Sequence, residues 1–209
     1  MLPIAEEARS TVGVGLILTL AVNFSSGILS ALPMWLLLVL LVVAFRDFPR
    51  NTPAASPLAS VSPIDGQIID VTLISDPYLK RDALRIRIKQ NLYGEFNVHS
   101  PIEARIQKRW FSHAEKGHAS PLRSASRFAL WLQSDEKDDV VIAINLDFPL
   151  RIVRCKVQTG ERVGHGRRCG LIGFGRRVDI YLPATARCNV KPGQQVNAGS
   201  DIIATLRHG

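Results

Sequence analysis

The chain has 209 residues, 46% of them hydrophobic, and a formal net charge of +8 at pH 7. This length accommodates one domain and an appendage. The basic residues form no dense block and no recognition-helix pattern, which argues against nucleic-acid binding and favours solvated strand faces beside an anionic membrane. The three cysteines lack CxxC spacing and the five histidines lack an HExxH pattern, so we predict a reduced compartment and no metal site.

The N-terminal part is strongly apolar from residue 12 to residue 45. A polar notch at 23–27 and Pro33 divide it into two pieces, and the uninterrupted second piece, Met34 to Phe45, has only 12 residues. A full membrane span needs about 20 residues. The pattern therefore predicts a helical hairpin that dips into one leaflet and returns, with two tilted spans as the alternative.

A cleaved signal peptide is disfavoured for this hairpin. The chain has an acidic start at Glu6 and Glu7, and no A-x-A site follows the apolar block. The sequence that follows, residues 45–50 (FRDFPR), is basic in the way that keeps a segment in the cytoplasm. We predict that residues 1–50 form a membrane anchor and that the rest lies on the cytoplasmic face.

A Pro/Ala/Ser-rich linker at 51–61 leads into a globular part, residues 62–209, that is rich in β-like runs. These runs have alternating or β-branched residues and cover 66–74, 83–90, 140–146, 151–157, 177–182 and 201–206. The one helix predicted in this globular part is Ser120–Gln133. The fold class is therefore mainly β, a compact sandwich or barrel.

An internal repeat refines this prediction. Residues 157–166 (VQTGERVGHG) and 190–199 (VKPGQQVNAG) share the pattern V-x-x-G-x-x-V-x-x-G. Each glycine allows a tight turn with positive φ, and each valine returns to the core. Such paired turns resemble the hammerhead turns of lipoyl- and biotinyl-type domains and predict a barrel-sandwich-hybrid-like fold. Neither copy presents a modifiable turn lysine, which disfavours a carrier role.

Two polar residues are candidates for chemistry. Asp65 in VSPIDGQI precedes Gly66 at the start of a strand, where an Asp-Gly pair is more often simply a turn. His99 in GEFNVHSP ends an apolar β-like segment, where a lone histidine is more often a hydrogen-bonded core residue.

Several stretches together resemble the phosphatidylserine decarboxylases of the short, proenzyme type. The apolar hairpin is followed by FRDFPR, similar to the family's FFRDPxR, and the segments SPIDGQI and FNVHSP are similar to SPxDGxV and FNVHxxR. The most specific match is the closing block, GERVGHGRRCGLIGFG and RVDIYLP, which resembles the family's G.RFGxIxFGSRVDVYLP. The resemblance extends from about residue 45 to the C-terminus.

The resemblance implies a self-made cofactor. Members of the family cut themselves at a Gly-Ser bond in this closing block, and the serine becomes an N-terminal pyruvoyl group. This group accepts the substrate amine as a Schiff base and supports the loss of CO2. By resemblance, Asp65 and His99 assist this chemistry, His99 as general base.

The chain departs from the family at the self-cleavage bond, which is Gly175–Arg176 here. Arginine has no hydroxyl to attack Gly175, so the pyruvoyl group is not expected to form. Its permanent charge also needs an acidic or solvated neighbour if the site is enclosed. The one Gly-Ser bond, Gly199–Ser200, lies in the second repeat and is a poor substitute.

A second departure lies at residues 117–139. The family has a Gly-x-Phe-x-x-Ala turn and an Asn-Glu-Arg stretch in this region, and the chain has neither. By resemblance this segment lines the substrate cleft, so recognition of the lipid headgroup is also expected to differ.

The resemblance thus predicts a phosphatidylserine decarboxylase-related protein of phosphatidylethanolamine biosynthesis with absent or very weak activity. Its expected partners are membrane phospholipid and a second copy of the chain or an active paralogue, and not nucleic acid. One alternative is a membrane-tethered, non-catalytic barrel-sandwich binding module. Another is an active enzyme with an unforeseen processing site.

Overall fold

The computed structural model describes residues 6–44, 58–91, 94–112, 127–145, 153–172 and 177–207. The chain divides into two compact units, an N-terminal helical unit and a larger β unit, with the division after Pro49.

The helical unit has two helices, α1 (Glu6–Ser26) and α2 (Ile28–Ala44). Gly27 joins them with a φ of 82°, a conformation that glycine adopts without strain. The helices approach closely at Gly15, where an added Cβ would lie 3.2 Å from the Leu38 Cδ1 atom. Most of their large apolar side chains are exposed. Neither helix, within the described residues, is both long enough and apolar enough for a membrane crossing.

The β unit is built from antiparallel strands, and the alternating runs in its sequence are typical of such sheets. Its described strands are β1 (Ala59–Val61), β2 (Gly66–Ser75), β3 (Asp82–Gln90), β4 (Asn97–His99), β5 (Ala104–Ser112), β6 (Arg127–Gln133), β7 (Asp139–Asn145), β8 (Val153–Cys155), β9 (Arg162–Val163), β10 (Arg168–Ile172), β11 (Arg177–Pro183), β12 (Arg187–Cys188), β13 (Gln195–Val196) and β14 (Ile202–Thr205). The mainly β prediction is confirmed.

The strands form one large sheet and two small ones. The large sheet has eight strands in the order β13-β2-β3-β11-β7-β6-β5-β9. The small sheets have the orders β1-β14-β12 and β4-β10-β8. The pair β11–β7 lies at the centre of this sheet. Counted outward from it, the strands on one side are β3, β2 and β13. The strands in the equivalent positions on the other side are β6, β5 and β9. The unit therefore contains two topologically equivalent halves: a first half of β1–β3 with β11–β14, and a second half of β4–β10.

A sequence repeat not predicted above accompanies these halves. Residues 62–68 (SPIDGQI) lead into β2, and residues 100–106 (SPIEARI) lead into β5. The two serine hydroxyls, of Ser62 and Ser100, each donate to a carbonyl two residues ahead at 2.7 Å. Both strands also shift register just after the second isoleucine of the repeat. The halves are thus equivalent in local geometry as well as in strand order.

The hammerhead turns are the most closely matched parts of the two halves. Gly160 and Gly193 have φ values of 89° and 90°, and Gly166 and Gly199 both have 66°. The valines of the repeat are buried: Val157, Val163, Val190 and Val196. The predicted positive φ of the glycines and the return of the valines to the core are both confirmed.

The main core collects the inward side chains of the large sheet and apolar residues of both small sheets. Strand β11 shows the alternation, because Val178, Ile180 and Leu182 lie in this core. On the opposite face of the sheet, Tyr181 joins a smaller apolar cluster, and Asp179 accepts hydrogen bonds from the Arg87 guanidinium at 2.7 and 3.1 Å.

The predicted helix Ser120–Gln133 is wrong over its described part, since residues 127–133 form β6. Phe128, Leu130 and Leu132 are buried in the main core, whereas Ala129 belongs to the cluster on the opposite face. This two-residue alternation is that of a strand between two apolar layers, and it overrides the helical preference of alanine and leucine. Residues 120–126 lie outside the described part.

Candidate functional site

His99 lies at the end of β4, where the two hammerhead turns come together. Its backbone amide donates to the Pro63 carbonyl at 2.8 Å, and its ring Nδ1 lies 2.8 Å from the Gly166 carbonyl oxygen. Because a carbonyl only accepts hydrogen bonds, Nδ1 carries a proton. An added Cβ at Gly199 would lie 3.0 Å from this same nitrogen. The first hammerhead turn thus orients the His99 ring through the Gly166 carbonyl. The second turn leaves room for the ring because residue 199 is a glycine.

Asp65 is buried just before β2 and holds two parts of the site together. Its Oδ1 accepts a hydrogen bond from the Ala198 amide at 2.7 Å, in the second hammerhead turn. Its Oδ2 accepts one from the Glu95 amide at 2.9 Å. An added Cβ at Gly94 would lie 2.6 Å from the Asp65 Cβ, so the chain passes this side chain closely.

Gly66 is required by a close backbone approach. An added Cβ would lie 2.3 Å from the Lys89 carbonyl oxygen and 2.8 Å from the Ile88 Cγ2 atom. The Asp-Gly pair is therefore more than a turn signal. It places the Asp65 carboxylate beside the point where β2 meets β3.

Glu95 is a further member of the site that the sequence reasoning missed. Its side chain has no exposed surface, and its Oε2 lies 3.3 Å from the His99 Nε2. The signal that could have identified it is an acidic residue directly before the buried strand β4, in GEFNVH. Because charged side chains are rarely fully buried without a partner, such a residue points to a polar site.

The predicted self-cleavage position, Gly175 and Arg176, lies outside the described residues. The described strands before and after this position, β10 and β11, pair with segments next to the site residues. Ile172, at the end of β10, donates its amide to the Phe96 carbonyl at 2.8 Å. Strand β11 begins at Arg177 opposite Lys89 of β3.

Burial shifts the pKa of two titratable groups near the site. The imidazole of His165, which precedes Gly166, has its pKa lowered because burial disfavours the charged ring. Burial raises the pKa of the Cys169 thiol in β10 to about 12, so this cysteine is a poor nucleophile at neutral pH. Within the described ranges, no group of His, Cys, Asp and Glu side chains could hold a metal ion.

The Gly199→Ala variant is expected to loosen the site. Alanine at a φ of 66° is strained, and its Cβ would displace the His99 ring from the Gly166 carbonyl. Gly160→Ala is the matched control, since Gly160 also has positive φ but an added Cβ would meet nothing within 4 Å. Urea unfolding is expected to show a larger loss of stability for Gly199→Ala. Equal losses would mean that His99 is not held there.

Comparison with known proteins identifies the family of this chain. A family model described as phosphatidylserine decarboxylase matches residues 37–204. Proteins named phosphatidylserine decarboxylase proenzyme from Nitrosomonas eutropha and Nitrosomonas europaea are each 34% identical, covering 98% and 96% of this chain and 95% and 94% of their own. One from Aromatoleum aromaticum is 35% identical over 97% of this chain and 95% of its own. The resemblance to the family is thereby confirmed, and the chain belongs to the phosphatidylserine decarboxylase family.

Proposed function

We propose that this chain is a phosphatidylserine decarboxylase-related protein of phospholipid biosynthesis that does not make its own pyruvoyl group. The observation that carries the proposal is the Gly175–Arg176 bond, where the family resemblance expects Gly-Ser. Arginine supplies neither the attacking hydroxyl nor the oxygen that is eliminated. The residues present therefore do not fit a self-derived pyruvoyl group, and no decarboxylation step is assigned to this chain.

The remaining site is proposed to be the family site without its nucleophile. Asp65 ties the second hammerhead turn to the segment before β4, and His99 is fixed by Gly166. Both are buried and hydrogen-bonded. In the family role, Asp65 and His99 would assist the chemistry, His99 as general base. In this chain, the two residues would maintain the structure of a lipid-binding site at which decarboxylation is absent or very weak.

The helical unit is proposed to hold the protein at the cytoplasmic face of the membrane. Support comes from its exposed apolar side chains, with Phe24 at 85% and Leu29 at 82% exposed. Burying such side chains in lipid contributes about 1.5–3 kcal/mol each. The phospholipid in the family's name is a membrane component, which agrees with a membrane-associated protein. Membrane phospholipid is thus the proposed ligand, and a second copy of the chain the proposed partner.

The fold type is proposed to be a barrel-sandwich hybrid. The paired hammerhead turns, with matching φ values, and the two equivalent halves support this assignment. In this arrangement the turns of the two halves meet beside His99.

The intact mass of the full-length protein, purified in detergent from its native host, tests the proposal. We expect one species near the 23.1 kDa of the whole chain. Two fragments that join between Gly175 and residue 176, with a ketone at the start of the smaller one, would overturn it. Such fragments would show that residue 176 of the protein is a serine, because arginine has no β-hydroxyl from which the ketone could arise.

A non-catalytic partner module is the second candidate function. It is favoured by residues 117–139, where the sequence departs from the family's headgroup-binding pattern. This candidate predicts co-purification with an active paralogue or another lipid enzyme from detergent, and binding that survives Asp65→Ala and His99→Ala. Absence of a partner at native expression levels would exclude it.

A further inference from the structure

A basic pair, Lys89 and Arg177, lies on the outward face of the large sheet, which is the face opposite the main core. Strands β3 and β11 pair so that these two residues are directly opposite each other. Their chain neighbours, Ile88 and Val178, are buried in the main core. The two-residue period of a strand therefore places the basic pair on the other face, where both residues are exposed.

The other arginines of β3 are matched with acids on neighbouring strands. Arg87 donates to both carboxylate oxygens of Asp179 in β11, at 2.7 and 3.1 Å. Arg85 donates to the Asp70 carboxylate of β2 at 2.6 Å. Opposite charges therefore meet at these two positions, whereas the two members of the basic pair have the same sign.

The residues next to the basic pair in the same row of the sheet are neutral and polar. Gln67 of β2 lies opposite Lys89, and Asn145 of β7 lies opposite Arg177. Beyond Asn145, the register places Arg127 of β6 in this row. Across these five described strands, the row therefore contains three basic residues and no acidic one.

A bound anion would stabilise this arrangement. Like charges directly opposite each other on neighbouring strands are destabilising, and a negative group between them removes the repulsion. The Arg177 guanidinium presents a planar set of N–H donors and the Lys89 ammonium is a compact charge with three donors. This combination suits the oxygens of a phosphate group, which is therefore the ligand chemistry that the basic pair favours.

We propose that the basic pair binds the phosphate of an anionic phospholipid, which gives the β unit its own contact with the membrane surface. A lipid is preferred to a soluble phosphate because the proposed function holds the protein at the membrane, and the inference rests on that part of it. The formal net charge of +8 favours the same anionic surface. Strand β11 begins at Arg177, so the lipid phosphate would lie next in sequence to the Gly175–Arg176 bond.

Flotation of the full-length protein with lipid vesicles tests the inference. One set of vesicles is phosphatidylcholine alone, and the other is phosphatidylcholine mixed with phosphatidylglycerol, which is anionic. We expect the wild-type chain to bind the anionic vesicles more tightly. The double variant Lys89→Gln/Arg177→Gln is expected to bind them about 25-fold more weakly, at about fivefold for each basic residue, and to bind phosphatidylcholine vesicles as the wild type does.

The double variant Arg187→Gln/Lys191→Gln is the matched control. It removes one arginine and one lysine that are also exposed, but that belong to β12 and the second hammerhead turn. Its binding to anionic vesicles is expected to stay within about twofold of the wild type, because a charge farther from the lipid than about 10 Å is screened by salt. Equal losses in the two double variants would overturn the inference, since net charge alone would then explain the binding.

Two results on the wild-type chain would also overturn the inference, whether or not the variants fold. One is equal binding to the two sets of vesicles. The other is loss of the preference for anionic vesicles when inorganic phosphate is added at the concentration of the lipid headgroup and constant ionic strength. That loss would assign the basic pair to a soluble phosphate.

The same experiment separates this inference from the proposed function. Binding to phosphatidylcholine vesicles reports the membrane association proposed for the helical unit, and the preference for phosphatidylglycerol reports the basic pair. Binding to both sets without a preference would overturn the inference and leave the proposed function intact. Binding to neither set would contradict both.

Discussion

The Arg176→Ser variant is expected to cut itself after Gly175, giving chains of residues 1–175 and 176–209. The substitution restores the hydroxyl that the family reaction requires. The described part of the site already holds His99 and Asp65 in defined hydrogen bonds. Denaturing electrophoresis and intact mass measurement of the purified variant would show the two chains.

Two further variants control this experiment. Arg176→Ala removes the charge without adding a hydroxyl and is expected to remain one chain. His99→Gln in the Arg176→Ser chain is expected to stop or greatly slow cleavage by removing the base. An Arg176→Ser chain that stays intact would contradict the prediction and would place the loss of processing beyond residue 176, with 117–139 the next segment to restore.

The Gly66→Ala variant is expected to lose much of the stability of the β unit. The new Cβ would lie 2.3 Å from the Lys89 carbonyl oxygen, a backbone atom within the β2–β3 ladder. The strands must move apart to admit it, which costs about 1–3 kcal/mol for an overpacked site and displaces Asp65 as well. Urea unfolding followed by circular dichroism would measure the loss.

Gly164→Ala is the matched control for this change. An added Cβ at Gly164 would meet only the side chain of Arg167, at 3.1 Å, and that side chain can move. Its effect is expected to be within about 0.5 kcal/mol, as for most surface substitutions. Equal destabilisation by the two variants would show that the close approach at Gly66 is not what requires glycine there.

Much of the fold could be predicted from the sequence because its central strands alternate clearly. The runs at 66–74, 83–90 and 177–182 correspond to β2, β3 and β11, which lie side by side. The short strands β1 and β4 have only three residues each, too few to show a period. Strand β5 was missed because three consecutive polar residues, Gln107 to Arg109, interrupt the alternation in its sequence, ARIQKRWFS.

The site was only partly predictable, for different physical reasons. Asp65 and His99 were identified through the family motifs, because a lone acid or histidine in a strand is ambiguous by itself. Glu95 was missed since a glutamate is normally solvated, and its burial depends on contacts made across the fold. The need for Gly66 likewise comes from Lys89 on a neighbouring strand, which local sequence cannot reveal.

The interleaving of the two halves has a consequence for how the chain is assembled. The second half, β4–β10, is continuous and can close as soon as Ile172 has left the ribosome. The first half begins with β1 but is complete only when β14 arrives, because Ala59 pairs with Thr205. Closing so long a loop delays folding of the first half.

The junction between the halves is also where the predicted cut would fall. A nicked protein would therefore stay together through the pairing of β11 with β3 and β7, and its pieces would separate only in denaturant.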